Sequence, residues 1–271
     1  ILSGNAAILA ADDMLKRAYD TAAQVLRAGT VDLDHDGEKV FVKHNPENAV
    51  TFRSMAIGYA YPDGQSIGGP LVGVGRYIAQ GLTNLDQETG QGFPALDWTY
   101  GAHGLVVEVH PRTGEYNVLK VISAFDVGKV VNPQAVRGQV IGGMLQGLGT
   151  AVCEGYIYDQ QGHLLNPSFT DNKIPTAQDM PLEVDAIAVE TKQLDGPFGA
   201  RGVAEHPMIS VAPALGNAIQ QATSAEMTHM PMRFEDVWRA INKKEPVDNW
   251  ITRSPYGSCR SAPEIRKQDC D

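Results

Sequence analysis

Cysteine is nearly missing from this chain. Cys153, Cys259 and Cys270 make three, an odd number with no Cys-x-x-Cys pair among them. That argues against a disulfide framework, a zinc site and an iron–sulfur cluster held by this chain alone. Reduced thiols in a cytoplasmic setting are the expectation. Positive charge is short as well: 22 Lys and Arg stand against 32 Asp and Glu, for a net charge of −10. Neither a nucleic-acid backbone nor an anionic membrane surface suits such a balance. No apolar run approaches the roughly 20 residues that span a bilayer. The start Ile1-Leu2-Ser3-Gly4-Asn5 lacks the basic-then-apolar pattern of a signal peptide. His-Glu-x-x-His, Gly-x-Ser-x-Gly and the Walker loop are all absent, and the 7 histidines are scattered without ligand spacing.

What remains is the composition of a soluble globular protein, 43% hydrophobic and 20% charged over 271 residues. Residues 3–28 carry Leu9, Met14, Leu15, Ala18, Ala22, Val25 and Leu26 at helical spacing, with Ser3 or Asn5 as candidate cap and Gly29 at the end. Residues 30–43 alternate like a hairpin around His35-Asp36-Gly37, and 52–60 suggest a second amphipathic helix. Residues 62–98 are glycine-rich and read as long loops; Gly73-Val74-Gly75 there lacks the third glycine and the flanks of a phosphate loop. A hairpin follows, 105–109 with 116–122, then a turn at Asp126-Val127-Gly128 and a helix start at Asn132-Pro133. Residues 156–166 suggest another hairpin, 182–190 a strand, 211–225 a helix, and 234–241 a last short helix. Helices and sheets of this kind make an α+β fold. Residues 1–242 are expected to form one domain and 243–271 an extended tail.

Two stretches stand out chemically. The helix expected over 134–154 carries Gly138, Gly142, Gly143, Gly147 and Gly149, each weakening it by up to about 1 kcal/mol relative to Ala. Such spacing bares part of the helix surface. Either a neighbouring helix or a flat ligand could lie there, and Gln139 falls in the first turns, where free N–H groups attract polar ligand edges. The second stretch is residues 196–211, GPFGARGVAEHPMISV, which presents Glu205 on a glycine-rich loop beside Arg201 and His206. A carboxylate raised by dehydration and lowered by a nearby Arg can act as a base near neutral pH. A solvated loop Glu is the plainer alternative.

The motifs Thr113-Gly114-Glu115, Asp126-Val127-Gly128, Asn132-Pro133 and Gly138-Gln139-x-x-Gly142-Gly143-x-x-Gln146-Gly147-Leu148-Gly149 resemble, in order, the molybdenum hydroxylases. So do Lys173-Ile174-Pro175-Thr176-Ala177 and Asp179-Met180-Pro181, and above all residues 196–205. This is the family of xanthine dehydrogenase, aldehyde oxidoreductase and nicotinate dehydrogenase. The resemblance implies that Glu205 is the general base when an electron-poor sp² carbon is hydroxylated with water-derived oxygen. It implies that Gln139 contacts the pterin, with Gly138, Arg201 and Gly202 around the cofactor, and that the metal is held by the pterin dithiolene rather than by this chain. It also implies molybdenum-molybdopterin, plain or as the cytosine dinucleotide, and electrons leaving through 2Fe-2S clusters to FAD on other subunits. Its span suggests the C-terminal half of a split molybdenum subunit that needs a second fragment. An N-heteroaromatic substrate is expected, with an aldehyde substrate or a non-catalytic scaffold role as alternatives. Ala204, His206 and Asn172 stand where the family commonly has Gly, Pro and Tyr.

Overall fold

The computed structural model describes residues 1–244. The expected tail therefore lies, but for its first two residues, outside the described residues. The described chain divides into two compact units, Ile1–Asp97 with Gln193–Gly199, and Trp98–Lys192 with residues 200–244.

In the first unit the long helix α1 (Leu2–Leu26) buries Ala18, Thr21, Ala22 and Leu26. Ala18, Ala22 and Leu26 pack with Leu33, Val40 and Val50 from an antiparallel sheet, β1 (Leu33–His35), β2 (Lys39–Val42) and β3 (Asn45–Thr51), and with Met55 just beyond it. The hairpin at His35-Asp36-Gly37 is as expected, with β3 added. Neither Ser3 nor Asn5 caps α1: Ile1 is the N-cap, and Asn5 donates from its side chain to Asp195 O at 2.7 Å. At its far end Arg27, in the left-handed region, closes the helix before Gly29 is reached. The helix expected over 52–60 is only one turn, α2 (Phe52–Met55), capped by Thr51. The chain then turns into β4 (Ile57–Ala60), which pairs with β5 (Ser66–Pro70). Gly73 and Gly75 have a packing reason: a Cβ at either would run into the α1 backbone at Ala10 or Ala6. Val74 N–H donates there to Asp13 Oδ2 at 3.0 Å.

The second unit is built on β6 (Gly101–Val109), β7 (Tyr116–Asp126) and β8 (Glu183–Val189) in that order. β6 and β7 form the expected hairpin, and β8 joins β7 in parallel. A parallel neighbour needs a crossover, and its main helix is α3 (Pro133–Val152). Asn132 caps α3 by accepting the Ala135 N–H at 3.0 Å, with Pro133 at the first position, where its missing N–H costs nothing. Val140, Met144, Leu148 and Ala151 form the buried stripe of α3. The last three meet Val211, Leu215 and Ile219 of α5 (Val211–Thr223), with Val121, Met232 and Val237. Each such aliphatic side chain contributes about 1.5–3 kcal/mol by leaving water. The last helix, α6 (Phe234–Ile241), falls where expected and buries Val237. The expected hairpin over 156–166 amounts to a single bridge, Tyr158 with Leu164, because Asn166 and Asp159 side chains take up the neighbouring N–H groups. The α+β class stands. Among the described residues no helix is long and apolar enough to cross a membrane.

Candidate active site

Four of the five glycines of α3 fall into two rows with different surroundings, and the fifth, Gly149, packs against Pro175. Gly143 and Gly147 face the four-residue helix α4 (His206–Ile209) and the start of α5. A Cβ on Gly143 would stand 2.9 Å from Pro207 Cβ, and one on Gly147 would run into Met208 O. Helix–helix contact accounts for this row. Gly138 and Gly142 lie on the opposite side, where a Cβ would meet nothing within 4 Å. With Ala135, Gln139 and Gln146 they make an exposed stripe of small residues and two carboxamides. Gln139 sits in the second turn of α3, past the unpaired N–H groups of the first, which corrects the expectation for its backbone. Its side-chain amide is the group it can offer.

Glu205 is the N-cap residue of α4, and its side chain makes no capping hydrogen bond. The segment carrying it is pinned on either side: Val203 packs against the cluster of Phe125, Val127 and Val140, and Pro207 sits on Gly143. Glu205 is thus fixed alongside α3, exposed to solvent, with the exposed Gly202 and Ala204 close by in sequence. A Cβ on Gly202 would also meet open space.

Arg201 has a partner other than Glu205. Its Nε lies 3.5 Å from Asp126 Oδ2, near enough for charge attraction, and its Nη1 donates to Trp98 O at 2.9 Å. The guanidinium carbon stands 5.9 Å from the Tyr100 ring centroid, and Arg201 N–H donates to Val127 O at 2.9 Å. The tuning of Glu205 by this Arg, expected from sequence adjacency, finds no ion pair among the described residues, because the loop turns the guanidinium toward β7. Burial at Asp126 disfavours its charge, but N–H groups of Gly128 and Thr191 and the Arg201 guanidinium outweigh that and hold its carboxyl below the usual range. Asp126 thus ties the end of β7, the stretch after β8 and the Glu205 loop together. Its Asx-type contact with Gly128, two residues on, was legible in the turn motif.

A second support was not legible. His103, a lone histidine on β6, places Nδ1 2.8 Å from Ser210 Oγ at the junction of α4 and α5. Its ring stands 5.1 Å from that of Phe125, whose other neighbour is the His206 ring at 5.3 Å. Burial lowers the pKa of His103. Cys153 is partly buried and its thiol is pushed up, chiefly by that burial, so it is a poor nucleophile. Among the described residues no group of three or more His, Cys, Asp or Glu could hold a metal ion.

The arrangement offers a bare helix face with an exposed carboxamide and, anchored on another face of the same helix, a loop with an exposed carboxylate. It suits a large planar ligand with polar edges better than a metal held by side chains. Comparisons point the same way. Residues 1–181 match the family described as molybdopterin cofactor-binding domain, which includes Gln139 and stops short of Glu205. A 6-hydroxypseudooxynicotine dehydrogenase complex subunit gamma from Paenarthrobacter nicotinovorans is 34% identical over 157 residues, 56% of this chain and 20% of that protein. Aldehyde oxidoreductase of Megalodesulfovibrio gigas is 33% identical over 185 residues, 68% of this chain and 20% of the relative. Among solved structures, the Cu,Mo-CO dehydrogenase superposes with a TM-score of 0.71 at 26% identity, covering 89% of this chain and 29% of that one. The chain thus spans less than a third of the length of these relatives.

Proposed function

The chain belongs to the molybdopterin cofactor-binding domain family of the molybdenum hydroxylases, and from that premise we propose that it helps enclose a molybdenum-molybdopterin cofactor and supplies the general base of a hydroxylase. The observation that carries this reading is the pair of glycine rows on α3. One row is used up in packing against the segment that carries Glu205, while the other, Gly138 and Gly142 beside Gln139, stays open among the described residues. Glycine in a helix interior weakens it, and packing among the described residues does not explain the open row.

The cofactor, when bound, supplies the two-electron oxidation and the water-derived oxygen. Gln139 holds a polar edge of the pterin through its side-chain amide, and Gly138, Gly142 and Gly202 let the ligand approach the backbone. Glu205 would accept at its carboxylate the proton that the water-derived oxygen gives up on bonding to the substrate carbon, and would later release it to water. General bases of this kind contribute about 10²–10⁴-fold. Arg201, through Asp126 and Trp98, keeps the loop from drifting, and loss of alignment by about 1 Å can cost 10²-fold.

In the fuller proposal the second fragment of the molybdenum subunit covers the open face, and an Fe–S subunit and an FAD subunit take the electrons in the cytoplasm. Residues 1–242 serve as the cofactor-binding part. The pterin is plain or in its cytosine dinucleotide form. The substrate is an N-heteroaromatic compound, as the name of a relative such as the nicotine 6-hydroxylase large subunit, 36% identical over 143 residues, supports, with an aldehyde as the alternative. Glu205→Gln in the assembled enzyme should abolish turnover of a panel of pyridine and aldehyde substrates while molybdenum stays bound. Retained turnover would leave this chain a non-catalytic scaffold.

A further inference from the structure

Helix α4 is too short to hold itself. A four-residue helix has one turn's worth of hydrogen bonds, and isolated helices of that length are unstable in water. Whatever fixes its position fixes Glu205, its N-cap. Toward α3 the fixture is Pro207 on Gly143 and Met208 over Gly147. Toward the sheet it is His103.

The bond from His103 to Ser210 uses a hydroxyl that caps no helix N–H. Ser210 is the N-cap of α5, and a Ser there ordinarily accepts the N–H of the second or third helical residue. The third is Pro213, which has no N–H, and Ser210 makes no capping hydrogen bond. Its hydroxyl is left for His103 Nδ1 at 2.8 Å. The other ring nitrogen, Nε2, is enclosed without a hydrogen-bond partner among the described residues. A proton on Nε2 would strand a buried donor, whereas a bare Nε2 strands only a lone pair, the commoner and milder defect. The neutral ring with hydrogen on Nδ1, donating to Ser210 Oγ, follows.

We propose that His103 is a positioning residue for Glu205, a neutral Nδ1–H latch that holds the α4–α5 junction against β6. The proposal rests on the reading of Glu205 as the base, and it extends that reading to a residue neither the loop motif nor the glycine helix contains. The latch works from both ends of α4, since Phe125 stands between the His103 ring and that of His206.

Hydrogen exchange of the full chain, read by mass spectrometry over residues 203–214 with α6 as internal control, tests the latch without the cofactor. His103→Phe and Ser210→Ala should each speed exchange there about fivefold, the worth of one ordinary hydrogen bond, with α6 unchanged. The double variant should do no more than either single. His103→Asn, whose amide can donate from the place of Nδ1, should restore slow exchange, and His103→Gln should not. In the assembled enzyme His103→Phe should lower kcat at least tenfold, with KM and molybdenum content unchanged. Unaltered exchange, an additive double variant or rescue by His103→Gln would overturn the latch. Faster exchange with wild-type kcat would overturn its role in catalysis. Turnover by Glu205→Gln would instead refute the base reading, and would leave the exchange data as they are.

Discussion

Substituting the two glycine rows of α3 should have opposite consequences. Alanine inside a helix is about 1 kcal/mol more favourable than glycine. At Gly138 and Gly142 an added Cβ meets nothing within 4 Å, so Gly138→Ala and Gly142→Ala keep that gain in full. A change of this size raises Tm by roughly 2–4 °C in a domain of some 150–250 residues. At Gly143 the new Cβ would press on Pro207 at 2.9 Å, and at Gly147 on Val211 Cγ2 at 2.8 Å. Overpacking costs about 1–3 kcal/mol, so Gly143→Ala and Gly147→Ala lose stability despite the better helix. Calorimetry of the chain measures both signs. The open row then separates stability from ligand binding: the stabilised Gly142→Ala chain should assemble with less molybdenum and pterin, and Gly142→Leu with almost none, read by metal analysis and pterin fluorescence. Wild-type cofactor content in Gly138→Ala and Gly142→Leu would refute the claim that this face is kept bare for a ligand.

Other expectations concern the supports of the loop. Asp126→Asn should destabilise the second unit by about 2 kcal/mol, as for hydrogen bonds to a charged group. Because the folded state holds the Asp126 carboxyl below its ordinary value, its contribution is present above about pH 4 and is lost as pH falls through the folded value. Acid titration of unfolding should therefore show less slope below pH 4 in Asp126→Asn. His103 has the opposite dependence on charge. Burial disfavours its proton in the folded chain, so stability is unaffected above about pH 6.5 and declines as pH falls from there through the folded value. The decline should vanish in His103→Phe, measured by urea midpoints at pH 7.5 and 5.5. Gly114 has φ of 76°, and a Cβ there would run into the α6 backbone at Phe234 O. Gly114→Ala should thus cost at least about 1–3 kcal/mol, read as a lower urea midpoint.

Much of this architecture was legible in the sequence. The β6–β7 hairpin, the Asn132-Pro133 start of α3 and the position of α6 rest on short-range chemistry that a sequence displays. The helix expected over 52–60 was not formed beyond Met55 because the β4–β5 pairing takes its second half, a tertiary contact that propensity does not contain. Ser3 and Asn5 looked like caps by residue type, yet the helix begins at Leu2, and Asn5 serves Asp195 far along the chain. Five glycines announced something unusual about α3, but only neighbours distant in sequence divide four of them into a packed row and a bare one. Arg201 beside Glu205 suggested a pair; the backbone direction at Val127 gives the Arg to Asp126 instead. A single His on a strand carried no signal that it would reach Ser210.

The central claim is that the bare side of α3 and the Glu205 carboxylate face one cofactor. Anomalous diffraction at the molybdenum edge from crystals of the assembled enzyme tests it directly. The account predicts a metal peak beside the Gly138–Gly142 face, with the Glu205 carboxyl within about 3 Å, or one bridging water, of a metal-ligand atom. A peak on another surface, with Glu205 left in open solvent, would contradict it.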